Sequence, residues 1–254
     1  MSIQLPYIDS AKSFPDPLIS NHFEGLVGFS FEITTEMLKN SYPKGIFPWY
    51  APPDPVLWWA TNPRMVLQTQ NLKISRSLRK RLLDASKGIY RSEQKTLTLE
   101  IVMDRNPEAV MNACSEPRIH QTGTWITPEL KKAYLGLFDL GHLHSIEILV
   151  NGNLEGGLYG VSFGRMFYGE SMFHHLSDLS KIALCTLVTI LRKEQVPWID
   201  CQQETAHLSS LGASAIDLKA FLNHLNQYCK KENPDWDAYR NKILNTQLID
   251  LIAS

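Results

Sequence analysis

The stretch His144–Glu170, HSIEILVNGNLEGGLYGVSFGRMFYGE, decides the fold class. His144, Ile146, Ile148 and Val150 recur at every second position, the period at which a strand returns to the same face. Asn151-Gly152 suits a two-residue hairpin turn, because both turn positions take a positive φ there. Leu154–Phe163 then reads as the returning strand, and Gly164-Arg165 turns the chain again into Met166–Glu170. Downstream, a helix from Ser177 or Asp178 to about Glu194 carries Ile182, Cys185, Val188 and Leu191 inward, and Pro197–Gln202 reads as a last core strand. Upstream, Leu97, Leu99, Ile101 and Met103 alternate as a strand. Asn106-Pro107 caps and opens a helix through Cys114, and Thr127-Pro128-Glu129 opens another that passes Ala133, Tyr134 and Leu137 to Gly141. This order predicts an α/β fold with a mixed, mostly antiparallel sheet flanked by helices, not a doubly wound one.

The first quarter of the chain differs in character. Nine of the fourteen prolines fall in residues 1–63. A small N-terminal domain over residues 1–62 is expected, with a boundary near Asn62–Arg64 and a larger domain over 63–254. It should hold a short helix near Thr35–Ser41, capped by Thr34 or Thr35, and a strand around Val56–Ala60.

At 254 residues and 44% hydrophobic content the chain has the composition of a folded globular protein. Met1–Pro17 has Lys12 as its one basic residue and is broken by prolines, unlike a secretory leader, and no apolar run reaches the ~18 residues of a membrane span. A cytoplasmic protein without a membrane partner is expected. Cys114, Cys185, Cys201 and Cys229 form no CxxC, so buried reduced thiols are expected in place of disulfides or a zinc site. The net charge of −1 does not point to nucleic acid, but its distribution is uneven: seven basic residues between Lys73 and Arg91 face the single acid Asp84. Such an excess suits phosphate contacts; it equally suits the solvated face of a helix whose Leu78, Leu82 and Leu83 recur at helical spacing.

Three groups of residues could carry chemistry. Asp200 and Gln202 sit two apart in the apolar strand Trp198-Ile-Asp-Cys-Gln202 and so share one face. A buried carboxylate needs a partner, so either an Asp–Gln pair bonds neighbouring backbone or the pair is aimed at a cleft. Glu170 lies among large apolar residues at the end of the third hairpin strand, where a carboxylate can hold an ammonium group or gain proton affinity. The aromatics Trp49, Trp58, Trp59 and Trp125, with Tyr42 and Phe47, suit stacking on an unpaired base or ordinary core packing. His142, His144, His174 and His175 lack a third ligand at metal spacing, so no metal is assigned.

Ten segments carry a resemblance. Tyr42-Pro-Lys-Gly-Ile-Phe-Pro-Trp49, Leu57-Trp-Trp59, Ile74-Ser-Arg-Ser-Leu78, Thr124-Trp-Ile-Thr127, His144-Ser-Ile-Glu147, Gly156-Gly-Leu-Tyr-Gly160, Gly169-Glu-Ser-Met-Phe173, Ser180-Lys181, Ile199-Asp-Cys-Gln202 and Ser210-Leu-Gly-Ala213 resemble, in order, the motifs of the bacterial leucyl/phenylalanyl-tRNA protein transferases. The resemblance covers residues about 40–215 and implies a larger domain of the acetyltransferase (GNAT) type, no metal or dissociable cofactor, and a cytoplasmic role in the N-end rule degradation route. It implies transfer of Leu or Phe, less well Met, from aminoacyl-tRNA to proteins or peptides beginning with Arg or Lys.

By that resemblance Asp200, Gln202 and Glu170 are catalytic, and Trp49, Trp125, Tyr42 and Tyr134 lie at the terminal adenosine. Leu158, Phe167, Met172 and Ile199 wall the pocket for the transferred side chain. Lys73, Arg76, Arg79, Lys80 and Arg81 would contact tRNA phosphates, which position more than they specify. Gln202, oriented by Asp200, is expected to hold the amine or the tetrahedral centre, and Glu170 a positively charged amino group. Two rivals stand beside this: a CoA-dependent N-acetyltransferase, against which Glu170–Lys181 offers no glycine for a pyrophosphate turn, and a non-catalytic tRNA-binding module. A monomer is expected.

Overall fold

Two sheets organise the chain in the computed structural model, which describes residues 5–19, 24–92, 95–116 and 126–253. The smaller has the order β1-β3-β2, with β1 at Leu26–Ser30, β2 at Phe47–Pro48 and β3 at Val56–Trp59. Between β1 and β2, helix α1 (Thr35–Ser41) is capped by the Thr34 hydroxyl, which accepts from the Met37 amide. The larger sheet comprises β4 (Arg64–Gln68), β5 (Ile89–Arg91), β6 (Thr96–Met103), β7 (Leu143–Val150), β8 (Asn153–Phe163), β9 (Met166–His174), β10 (Trp198–Gln202) and β11 (Ser214–Ile216). Its order is β11-β4-β10-β9-β8-β7-β6-β5, antiparallel throughout except for the parallel pair β9 and β10. The remaining helices are α2 (Arg76–Ser86), α3 (Pro107–Cys114), α4 (Pro128–Asp139), α5 (Leu179–Lys193), α6 (Ala206–Ser210), α7 (Leu218–Tyr228) and α8 (Leu248–Ala253).

Both faces of the large sheet are covered, and the strand period divides the core in two. Ile146, Leu158, Phe167, Met65 and Leu67 face one apolar cluster, whereas Leu143, Tyr159, Tyr168 and Val66 face the other. Helix α5 is buried at every position from Leu179 to Leu191 except Lys181, and its close approach to β8 requires Gly156, where a Cβ would stand 2.5 Å from the Leu179 Cβ. The second cluster runs without a break from the N-terminal segment into the rest: Tyr42, Ile46 and Trp58 pack with Val66, Tyr134, Tyr168 and Phe221.

The hairpin of β7 and β8 turns at Asn151 and Gly152 with φ of 50° and 82°, as its sequence requires. Elsewhere the structure differs from expectation. Pro197–Gln202 does not end the sheet, since β11 follows it and pairs with β4, and the third hairpin strand continues past Glu170 to His174. Leu83 points outward at 44% exposure, leaving Leu78, Leu82 and Ala85 as the buried stripe of α2. All four cysteines are thiols; Cys114 and Cys185 are buried, whereas Cys201 and Cys229 are only half-buried.

Candidate active site

The site begins with a buried charge. Asp200, in the middle of β10, has no exposure, and a carboxylate in such a place needs a cation and further hydrogen bonds. Arg64, the first residue of β4 and also without exposure, meets it with both ends of its fork: Nε donates to Oδ1 at 2.8 Å and Nη2 to Oδ2 at 2.7 Å. Nη1 donates to the Gly45 carbonyl at 3.1 Å, and the guanidinium lies between the rings of Phe47 and Phe221, 4.6 and 4.7 Å from their centroids. This ion pair holds the end of β10 against β4.

Just beyond Asp200 the pairing with β4 slips by one residue, and Gln202 takes a φ of 58°, a left-handed backbone that is unusual for glutamine. Its amide donates to Asp200 Oδ1 at 2.9 Å, and its carbonyl accepts from the Thr61 hydroxyl at 3.0 Å. The bulge breaks the two-residue period, so Asp200 and Gln202 do not act side by side as the strand pattern predicted. Asp200 is committed to Arg64 and to the turn, while the Gln202 side chain lines a cleft. Held strain of this kind recurs at functional sites.

There the Gln202 Nε2 donates to Glu170 Oε1 at 3.1 Å. Glu170 lies on β9, two residues past Tyr168, where β9 is still registered with Asp200 of β10. Its carboxylate also takes the hydroxyl of Tyr42 at 2.8 Å on Oε1 and that of Tyr134 at 2.7 Å on Oε2. The two hydroxyl oxygens stand 2.8 Å apart. Removal from water pushes the Glu170 carboxyl up to about 7; the Tyr134 and Tyr42 hydroxyls oppose that rise as long as they donate to the carboxylate, the Asp200 charge adds to it, and Arg64 opposes it. Burial likewise drives the phenols of Tyr42 and Tyr134 well above their ordinary range, so both are neutral donors.

The cleft measures about 410 Å³. Leu158, Phe167, Met172 and Ile199 line it together, with Leu184 and Leu187 from α5 closing the apolar end. Trp49, 44% exposed, stands at the wall with its ring set edge-on to Trp59 at 5.8 Å. Glu116 and His207 also line it. Cys201 reaches the cleft, but burial above all pushes its thiol up to about 12, which leaves it un-ionised and a poor nucleophile.

Several assignments from sequence change here. Tyr42 and Tyr134, expected at the terminal adenosine, have no exposure, so neither ring has a face open to a base; their hydroxyls hold Glu170. Trp58 is a core residue whose indole donates to Ser30, whereas Trp125 lies outside the described residues. Of the basic set, Lys73, Arg76, Arg79 and Lys80 are exposed. Arg79 is tied to the Ile252 carbonyl at 2.7 Å, and Arg81 to Asp178 at 3.8 Å and to the face of Tyr90 at 5.6 Å. Arg64 carries no motif that marks it as part of the site. The clue available was an arginine opening the apolar run Met65-Val66-Leu67 while a buried aspartate elsewhere lacked a cation.

A family model for leucyl/phenylalanyl-tRNA protein transferases matches residues 66–226, and one for the N-terminal domain of the same proteins matches residues 31–62. A leucyl/phenylalanyl-tRNA protein transferase of Bordetella avium is 43% identical, over 92% of this chain and 93% of its own length. One from Cupriavidus metallidurans is 49% identical, over 82% of this chain and 81% of the relative. Among solved structures, a GCN5-related N-acetyltransferase from Kribbella flavida aligns with a TM-score of 0.33 at 10% identity, over 70% of this chain and 59% of its own.

Proposed function

The chain belongs to the leucyl/phenylalanyl-tRNA protein transferase family and is an aminoacyltransferase, and from that premise we propose how its cleft works. It takes leucine or phenylalanine, and methionine less readily, from charged tRNA and joins it to the N-terminal Arg or Lys of an acceptor protein, marking that protein for N-end rule degradation in the bacterial cytoplasm. The observation that carries this reading is the meeting, in one cleft, of an apolar wall from Leu158, Phe167, Met172 and Ile199 with the hydrogen-bonded pair Gln202 and Glu170.

The reaction is aminolysis of an ester. The acceptor's α-amino nitrogen attacks the aminoacyl carbonyl, an oxyanion forms, and the terminal ribose oxygen leaves. An activated ester asks mainly for positioning and modest proton handling. The apolar wall seats the transferred side chain, and Trp49 offers an open ring to the terminal adenine. Gln202, fixed by its bulge, steadies the amine or the tetrahedral centre. The α-amino group, with a pKa of about 8, enters as the neutral amine after giving one proton to solvent, and Glu170, near 7, takes the proton that the nitrogen sheds as it attacks.

The acceptor's cationic side chain needs a separate partner, since the Glu170 oxygens already accept from three donors. Glu116, exposed at the cleft wall, is the carboxylate placed for it. Lys73, Arg76 and Lys80 suit the phosphates of the acceptor stem. The protein works as a monomer.

The test is transfer of radiolabelled leucine from Leu-tRNA to two peptides that begin with Arg or with Ala. Label on the Arg peptide alone supports the reading. Label on neither, with acetyl-CoA giving an acetylated product, overturns it in favour of an acetyltransferase.

A further inference from the structure

The hydrogens around Glu170 do not add up if its carboxyl is ionised. Three oxygen–oxygen contacts of hydrogen-bond length form a closed triangle: Tyr42 Oη to Glu170 Oε1 at 2.8 Å, Tyr134 Oη to Glu170 Oε2 at 2.7 Å, and Tyr42 Oη to Tyr134 Oη at 2.8 Å. Each contact needs one hydrogen. Two neutral phenols supply two, and with an ionised carboxylate both are spent on it, so the two tyrosine oxygens face each other lone pair to lone pair in a buried site. A third hydrogen, on Oε2, completes the set. Glu170 then donates to Tyr134, Tyr134 to Tyr42, and Tyr42 to Oε1, which keeps its bond from the Gln202 amide.

We propose that Tyr42 and Tyr134 are positioning residues that build a proton-holding ring around Glu170, closed only when the carboxyl is protonated. Buried polar atoms left unpaired are costly, and a ring of mutually polarising bonds adds to that difference. The other groups facing Glu170 fit this state. Tyr159 is a buried neutral phenol on β8, Gln202 is an uncharged donor, and the negative Asp200 behind it is already bound by Arg64. Arg64 alone among these groups favours the ionised form, from a distance, and its fork is spent on Asp200.

In the proposed transfer, on which this use of the ring rests, the atoms balance. The N–C bond forms and the C–O bond to the ribose breaks. One proton leaves the amine for the Glu170 carboxylate and closes the ring. A proton from Glu170 then goes to the departing ribose oxygen, which returns the carboxylate to its starting form. The ring supplies the pull for the first proton and, by opening, releases the second.

The experiment is an infrared titration of the free enzyme, reading the protonated carboxyl band of wild type minus Glu170→Gln, repeated in Tyr134→Phe and in Tyr42→Phe. If the hydroxyls merely donate to a carboxylate, removing one raises the titration midpoint. If they form the ring, removing one abolishes the unfilled contact and lowers the midpoint, by about one pH unit. A lowered midpoint in the Phe variants supports the ring; an unchanged or raised one overturns it. Should both variants fold poorly, wild type alone can still overturn the ring, because absence of the band at slightly acidic pH contradicts a site that favours the proton. Leucine transfer measured on the same preparations reads the function separately: the expected titration in an inactive enzyme counts against the transfer reading and for the ring.

Discussion

Arg64 and Asp200 are bound through two parallel hydrogen bonds of 2.8 and 2.7 Å although neither side chain has any exposure and 136 residues separate them along the chain. Removing one partner strands the other's charge, which costs ~3–5 kcal/mol. Arg64→Ala is therefore expected to lower the stability read by denaturant unfolding by that amount and to reduce transfer with it, since the Gln202 turn hangs on Asp200. Gln202→Ala should leave stability nearly unchanged. Equal stability losses in the two variants would contradict this division between a structural ion pair and a working amide.

The acid limb of the rate follows from Glu170. Acting as a base it must be ionised, so kcat/KM should rise with pH through about 7 in wild type, and in Glu170→Gln only the rise through about 8 that belongs to the acceptor's own amine should remain. Linkage gives a second readout. A folded-state value raised above the usual 4.5 means that the group's stabilising contribution is present below about 4.5 and is lost as pH rises through about 7. Glu170→Gln should therefore be more stable than wild type at pH ~8, by at most ~3 kcal/mol, and the gap should close towards pH ~4. Melting curves across that range check it; a gap that widens on acidification has the wrong sign.

Donor choice should respond to the wall. Leu158→Ala enlarges the pocket beside Phe167 and Ile199, and losing apolar contacts of this kind costs ~1–3 kcal/mol per missing group. Leucine transfer is expected to fall about tenfold or more and phenylalanine transfer less, because the larger ring refills the space. Competition between Leu-tRNA and Phe-tRNA measures the ratio, and an unchanged ratio would place the pocket elsewhere.

Acceptor choice should respond to Glu116. Glu116→Gln is expected to raise KM for peptides beginning with Arg or Lys by roughly tenfold, in line with loss of a charge-assisted hydrogen bond, with kcat little changed. A fall in kcat with KM unchanged would remove Glu116 from acceptor binding.

The basic residues Lys73, Arg76 and Lys80 make a salt prediction. Replacing all three by Ala should weaken tRNA binding and flatten its log–log salt dependence by roughly 2–3, near 0.7–0.9 for each phosphate that is no longer neutralised. A slope identical to wild type assigns them to solvent.

The elements built from local signals were legible: the Asn151-Gly152 hairpin, the caps at Thr34, Asn106 and Thr127, and the long apolar stripe of α5. Strands β4 and β11 were not, because five and three residues leave too little periodicity to read, although Asn62-Pro63 and Gly212 mark turns just before them. The site was legible in its members but not in its wiring. Glu170, Asp200 and Gln202 stand out as polar residues in apolar strands, yet the bulge that separates the last two defeats a two-residue period. Arg64 and Tyr42 are more than a hundred residues from the carboxylates they serve, and no pattern in the chain pairs them.

If Gln202 and Glu170 carry out the chemistry in a cleft that other residues build, rate and binding must separate when either is replaced. The decisive measurement is single-turnover transfer of leucine from preformed complexes of Leu-tRNA with wild type, Gln202→Ala and Glu170→Gln, with tRNA affinity measured on the same samples. A rate loss of at least about a hundredfold is expected in each variant, as for loss of a proton-handling group, with tRNA affinity within a few-fold of wild type. Rates that fall only in proportion to affinity would assign both residues to binding and leave the chemistry without its carriers.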